Sequence, residues 1–197
     1  MKRSAPQLSV VIPYLSESDC IGRCRELVER NTRTPFEICE IVDCPNVYRA
    51  YNDGVAGARG EIVALINDDM FVAPDWDVHL VAAIEEKTVV TTYLVESGRL
   101  PVNYRNIARD FGKSVEEFDY ERFVGFATER AKQVPETRTG LGWYMPMAVR
   151  RKDFLPFPRE DPSIPCDTLL FGVFASRHYR FVQARSFAYH LQRMSQA

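Results

Sequence analysis

Gly60-Glu-Ile-Val-Ala-Leu-Ile-Asn-Asp-Asp-Met-Phe-Val-Ala-Pro-Asp-Trp76 is the stretch that decides how this chain folds. Glu61 to Ile66 is a short, continuous apolar run, the pattern of a strand buried on both faces. Asn67-Asp68-Asp69 stops it with three polar turn-formers. Pro74-Asp75-Trp76 then opens an amphipathic helix expected to reach about Glu86.

Working outward, the same unit repeats on the amino-terminal side. Leu8 to Pro13 is a β-branched run ended by proline, and it is followed by Ile21, Cys24, Leu27 and Val28 at helical spacing, with Ser18 or Asp19 as cap and Asn31 near the stop. Phe36 to Val42 reads as a second strand ending at Asp43. A helix from about Asn46 to Ala58 follows, with Val47, Tyr51 and Val55 on one face and Gly57 and Gly60 at its end. Strands alternating with helices at this spacing predict right-handed crossovers and an α/β, Rossmann-like single domain with a mainly parallel central sheet and helices on both faces. Such sheets bind ligands at the carboxyl ends of their strands. Tyr14, Asp43 and Asn67 to Asp69 all fall at such ends, so three loops are expected to converge on one crevice.

Val89 to Val95 is a further strand, but from Glu96 to Arg138 the pattern turns polar, aromatic and poorly periodic, with a helix near Val115 to Ala131. Trp143 to Val149 reads as a strand, Thr168 to Ser176 as a helix, and Tyr179 to Val182 and Ser186 to Tyr189 as short strands. We expect residues 7–95 to bind a donor and residues 96–197 to bind an acceptor and carry catalysis. The chain has 197 residues, 46% of them hydrophobic and 26% charged, which suits one globular core. A formal net charge of -2 gives no global field for nucleic acid or anionic membrane. The apolar runs are of strand length, and Met1-Lys-Arg-Ser-Ala-Pro-Gln7 lacks a signal-peptide core, so no membrane insertion and a cytoplasmic location are expected. Cys20, Cys24, Cys39 and Cys44 lack the tight spacing of a zinc knuckle and are read as reduced thiols.

Two carboxylates at a strand end, Asp68 and Asp69, are hard oxygen ligands suited to a Mn2+ or Mg2+ ion shared with phosphate oxygens, although Asn and Asp are also ordinary turn residues. The neighbourhood adds to this. Leu8-Ser-Val-Val-Ile-Pro-Tyr14 and Ala50-Tyr-Asn-Asp-Gly-Val-Ala-Gly-Ala-Arg-Gly-Glu-Ile-Val-Ala-Leu-Ile-Asn-Asp-Asp-Met-Phe-Val-Ala-Pro-Asp-Trp76 together resemble the GT-A type glycosyltransferases of family two, over about residues 7–86. The resemblance implies transfer of a sugar from a nucleotide-diphosphate donor, uridine being the family's commonest base. It places Asn67-Asp68-Asp69 at the D-x-D position, with Asp69 as metal ligand, Asp68 near the ribose or metal, and Asn67 where the family carries its first acid.

Pro13 and Tyr14 then reach the donor, Tyr14 stacking on the base or lidding the sheet edge. Asp43 accepts hydrogen bonds from the base or caps a turn, and Asn52 and Arg59 line the same pocket, unless Arg59 is a solvated helix-end charge. An inverting transfer needs a base for the acceptor's proton. Pro165-Cys166-Asp167-Thr-Leu-Leu170, Tyr179-Arg-Phe-Val182 and Tyr189-His190-Leu191 are similar to the family's layout, with Asp167 as base and Cys166 where glutamate is usual. Asp161 in Arg159-Glu-Asp-Pro162 is the rival base, and either carboxylate can simply cap a helix. His190 matches the histidine that completes the metal or pyrophosphate site in relatives, against an ordinary surface role. Arg150 and Arg151 offset phosphate charge or sit on a surface turn, and His79 and His178 are read as structural.

The Gln-x-x-Arg-Trp motif and membrane helices of processive synthases are absent from the sequence, which favours a single transfer. A nucleotidyltransferase would carry a glycine-rich, basic loop after the first strand, and Tyr14-Leu-Ser-Glu-Ser18 has neither glycine nor lysine. A non-catalytic module binding a nucleotide or sugar is the alternative of a different class. Acceptor recognition is expected in Glu96 to Arg138 and Gly140-Leu-Gly-Trp-Tyr-Met-Pro-Met147, with Trp143 and Tyr144 as stacking residues. Arg99, Arg105, Arg109, Arg122, Arg130 and Arg138 make a modified nucleic-acid base one acceptor class beside glycans, proteins and small molecules.

Overall fold

A computed structural model of the protein describes residues 6–102, 106–140, 145–158 and 166–192, with side chains omitted for residues 166–168. The chain alternates β1 (Leu8–Tyr14), α1 (Ile21–Asn31), β2 (Phe36–Val42), α2 (Val47–Gly57) and β3 (Ile62–Leu65), as the apolar periodicity predicts. It continues through β4 (Met70–Val72), α3 (Trp76–Ala82), β5 (Thr88–Glu96), β6 (Ile107–Ala108), α4 (Tyr120–Ala131), β7 (Thr137–Thr139), β8 (Met147–Arg150), α5 (Cys166–Ser176) and β9 (Arg180–His190).

The strands join in one sheet of order β2-β1-β3-β8-β5-β9-β4, with β6 added beside β5 and β7 beside β9. β1 is parallel to β2 and β3; β8 runs against both β3 and β5; β9 and β6 are parallel to β5. β1, β2, β3, β5, β6 and β9 therefore share one direction, and β4, β7 and β8 oppose it, so the sheet is mainly parallel as expected. The crossovers from β1 to β2 and from β2 to β3 run in opposite directions along the sheet, so the right-handedness of such connections places α1 and α2 on opposite faces.

β1 is buried on both faces, and Leu8, Val10, Val11 and Ile12 are fully enclosed. α1 turns Cys24, Leu27, Val28 and Asn31 inward, the positions its spacing selects. Asn31 is a buried amide with both ends satisfied: its Nδ2 donates to the Val72 carbonyl at 2.7 Å and its Oδ1 accepts from the Tyr120 hydroxyl at 3.0 Å. It ties α1 to β4 and α4. Two glycines, one in α2 and one in the loop before β3, allow close approach to β1. A Cβ on Gly54 would stand 2.3 Å from Val11 Cγ1, and one on Gly60 would stand 2.7 Å from the Ser9 nitrogen, so the helix and the loop that follows it reach β1 only without side chains there.

Some boundaries differ from the sequence expectation, each for a local reason. α1 begins after Cys20 with no side-chain cap, because the Ser18 hydroxyl is bonded elsewhere. α3 ends at Ala82 rather than Glu86, and the chain then passes through Lys87 at φ 47° into β5. α4 starts at Tyr120, where Asp119 accepts the Arg122 N–H at 3.1 Å, rather than at Val115. The two short carboxyl-terminal strands are a single strand, β9, whose pairing with β5 shifts register between Thr91 and Tyr93. The strand expected over Trp143 to Val149 is seen as β8, and Trp143 and Tyr144 lie outside the described residues. Cys20, Cys24, Cys39 and Cys44 are free thiols. No described helix is long and apolar enough to cross a membrane.

Candidate active site

Parallel pairing of β2, β1 and β3 brings their carboxyl ends to one sheet edge. The Asp43 N–H donates to the Tyr14 carbonyl at 3.0 Å, and Asp43 Oδ1 accepts the Ser16 N–H at 2.6 Å. Asp43 holds φ 54°, a left-handed conformation that a short polar side chain tolerates. It thereby stitches the end of β2 to the loop leaving β1. Pro13 is buried within β1, and the Tyr14 hydroxyl donates to Glu40 Oε2 at 3.1 Å, turning the ring toward β2. Desolvation and the neighbouring Glu40 raise the Tyr14 pKa.

The Asn67–Asp69 turn is held from below. The Met70 N–H closes it on the Asn67 carbonyl at 3.1 Å, and the Tyr51 hydroxyl donates to Asn67 Oδ1 at 2.5 Å. The Ser18 hydroxyl donates to Asp68 Oδ2, and Ser18 Oγ itself accepts the Cys20 N–H at 3.2 Å. Burial raises the Asp68 pKa, the Ser18 bond opposes it, and the charge of Asp69 adds to it. Burial, then Asp68 and Asp69, push the Cys24 thiol and the Tyr51 phenol well above their usual ranges, so both are neutral groups beneath an anionic turn.

Asp69 is 6% exposed, and its partner comes from the other end of the sequence: His190 Nε2 lies 3.2 Å from Asp69 Oδ2. The far nitrogen, Nδ1, lies 3.5 Å from Glu96 Oε1. β9 places His190 opposite Met70 on β4 and opposite Glu96 on β5, so three chain segments deliver a carboxylate, an imidazole and a carboxylate in a row. Burial alone would lower the His190 pKa, but bonds to Asp69 and Glu96 and their charges outweigh it and push it up to about 9.

The donor set fits a divalent cation of mixed oxygen and nitrogen preference, since a carboxylate and an imidazole nitrogen face each other at the turn. Among the described residues no three His, Cys, Asp or Glu side chains form a ready-made metal cluster, so oxygens of a ligand or water must complete any such site.

Arg59 sits at the opposite, amino-terminal edge of the sheet, where its Nε donates to Glu37 Oε2 at 2.7 Å. Asn52 clasps a backbone: its Oδ1 accepts the Phe157 N–H at 2.8 Å and its Nδ2 donates to the Phe157 carbonyl at 3.3 Å. Phe157 in turn packs on Tyr48 and Tyr51. Arg151 donates to the Gly60 carbonyl and Arg150 pairs with Asp153, both at the far edge. Asp167 lies in the first turn of α5, while Asp161, Trp143 and Tyr144 fall outside the described residues. Of the acceptor-side arginines, Arg122 lies over Phe111 and Arg109 over Phe126.

Glu96, Ser18 and Tyr51 were not singled out for the site by their sequence context. Tyr51 carried one signal, its place beside Asn52 in the helix that precedes the turn. Glu96 carried none, because its meaning depends on a pairing between β5 and β9.

A family model described as glycosyl transferase family 2 matches residues 46–154. Among solved structures, the fold is similar to that of GalNAc-T7, crystallised with UDP, GalNAc and Mn2+, at TM-score 0.65 and 13% identity, over 98% of this chain and 45% of that one. It is also similar to residues 1–349 of S. aureus TarS, at TM-score 0.57 and 13% identity, over 92% of this chain and 60% of that one. At these identities the likeness is one of fold. A search of curated proteins finds no match to the sequence.

Proposed function

The chain belongs to glycosyl transferase family 2, with the GT-A fold, and from that premise we propose that it transfers a sugar from a nucleoside-diphosphate donor, a uridine diphosphate sugar, to a hydroxyl acceptor with inversion and with Mn2+ or Mg2+. The observation that carries this reading is the Asn67–Asp69 turn at the carboxyl end of β3, with buried Asp69 facing His190. The Mn2+ and UDP in the GalNAc-T7 structure support the choice of metal and nucleotide.

Tyr14 and Asp43, knitted together at the ends of β1 and β2, receive the base. Asn67 and Asp68, fixed by Tyr51 and Ser18, receive the ribose. Asp69 and His190 would hold the cation, which would supply positive charge to the donor phosphates and to the leaving nucleoside diphosphate. Asp167 on α5, or Asp161, takes the acceptor's proton as its oxygen attacks the anomeric carbon. Residues 7–95 serve the donor, and residues 96–197 serve the acceptor and the proton transfer. Trp143 and Tyr144 are assigned to the acceptor.

The test is a thermal-shift panel of nucleoside diphosphates and their sugars, with and without Mn2+, on the wild type and Asp69→Ala. We expect a metal-dependent rise with a uridine nucleotide, lost in the variant. No rise with any nucleotide would overturn the reading.

A further inference from the structure

We infer that Glu96 is a positioning residue for His190, its carboxylate facing Nδ1 so that Nε2 is the nitrogen offered on the Asp69 side; this rests on the metal-dependent reading above. The row Glu96, His190, Asp69 is built into the backbone. His190 is paired with Glu96 across β5 and β9 and with Met70 across β4 and β9. The Ser97 N–H donates to the His190 carbonyl at 3.2 Å, and the Leu191 N–H donates to the Asp69 carbonyl at 3.1 Å. The Ser97 hydroxyl adds a bond to the Leu191 carbonyl at 3.0 Å. These bonds hold the three backbone segments that carry Glu96, His190 and Asp69 in register.

A neutral imidazole has one N–H and one lone pair, and the partner of one nitrogen decides what the other offers. Glu96 Oε1 lies 3.5 Å from Nδ1, a charge contact longer than a hydrogen bond, and its negative charge favours the proton on that nitrogen. Nε2, 3.2 Å from Asp69 Oδ2, then presents its lone pair where a cation held by Asp69 would sit. Glu96 is only 7% exposed, and a carboxylate taken that far from water is costly unless it has a charged partner to hold. Glutamine at this position has the same shape but carries an amide N–H. Donating it to Nδ1 would drive the ring proton onto Nε2 and close that nitrogen to a metal.

The test uses MnCl2 in the presence of UDP, with free Mn2+ followed by its paramagnetic resonance signal, on the wild type, Glu96→Gln, His190→Ala and the double variant. Melting temperature without ligand monitors folding, and Glu96→Asp takes the place of Glu96→Gln if the latter does not fold. We expect Glu96→Gln to weaken Mn2+ binding about 10- to 100-fold, the cost typical of removing the outer partner of a metal-bound histidine. We expect the double variant to bind no more weakly than His190→Ala alone. A wild type that binds no Mn2+ with UDP overturns the metal reading and this inference with it. A wild type that binds while Glu96→Gln binds equally well, or losses that multiply in the double variant, overturn the role of Glu96 and leave the metal reading standing.

Discussion

The β2-β1-β3 wing and the β5-β9-β4 wing of the sheet are built by opposite rules. In the first, β1 and β2 are each followed by a helix that returns the chain to a position beside β1, and the core is aliphatic: Leu8, Val10, Val11, Ile12, Leu27, Val28, Val63 and Leu65. In the second, β4 pairs with β9 and β5 with β9 across long separations in sequence, and the core is aromatic. Phe118 stacks on Tyr189 at 5.1 Å, and Phe111 and Phe123 close around the same ring. The difference teaches where the site comes from. The local wing supplies a set of strand ends, but the groups facing Asp69 arrive only when the distant wing has docked.

The largest expected effect lies in the second wing. Long-range strand pairing closes large loops before any contact rewards it, so this wing depends on the burial of its aromatics. Phe123 is fully buried against Phe111, Phe118 and Tyr189. Phe123→Ala is expected to cost about 3–5 kcal/mol in urea unfolding followed by circular dichroism. A loss below about 1 kcal/mol would mean that the cavity collapses and that the wing is not held by this nest.

The same contrast explains what could be read in advance. β1, β2, β3 and their helices were legible because their periodicity, glycines and caps are local: Asn46, for example, both starts α2 in the pattern and accepts the Arg49 N–H in the fold. β4, β6 and β7 were not, because strands of two or three residues have no period to detect. β9 read as two strands because Gln183 and Ser186, polar residues buried at the register shift, break the alternation that marks a strand. Tyr14, Asp43 and Asp69 were legible as strand ends. His190 was legible only through resemblance. Arg59 is placed at the other end of β3 from the acidic turn, because proximity in sequence says nothing about which end of a strand a residue occupies.

At the seam between the wings the expected effect is electrostatic. His190, faced by Asp69 and Glu96, has its pKa raised from 6.5 to about 9 in the folded protein. A cationic form stabilised by folding contributes fully below pH 6.5, and the contribution is lost as pH rises through 9. Metal-free protein should therefore lose up to about 3 kcal/mol of unfolding free energy between these limits, and His190→Gln should flatten the profile. Urea titrations in chelator at several pH values measure it. An unchanged slope in the variant would show that the wings are not joined through this ion pair.

The smallest expected effect belongs to the first wing and asks whether its site is set by packing or by a single hydroxyl. Tyr51 stacks on Phe157 at 5.7 Å between ring centres and donates to Asn67 Oδ1. Tyr51→Phe keeps the ring and removes the bond, a net change of about 1 kcal/mol. If the hydroxyl orients Asn67 toward the donor, this change appears as a roughly fivefold weaker affinity for UDP in calorimetry, with the melting temperature nearly unchanged. If it serves the fold alone, the melting temperature falls and the affinity does not. The second outcome would make the first wing like the second, a place where packing builds the site, and would remove the contrast at the residue where it is sharpest.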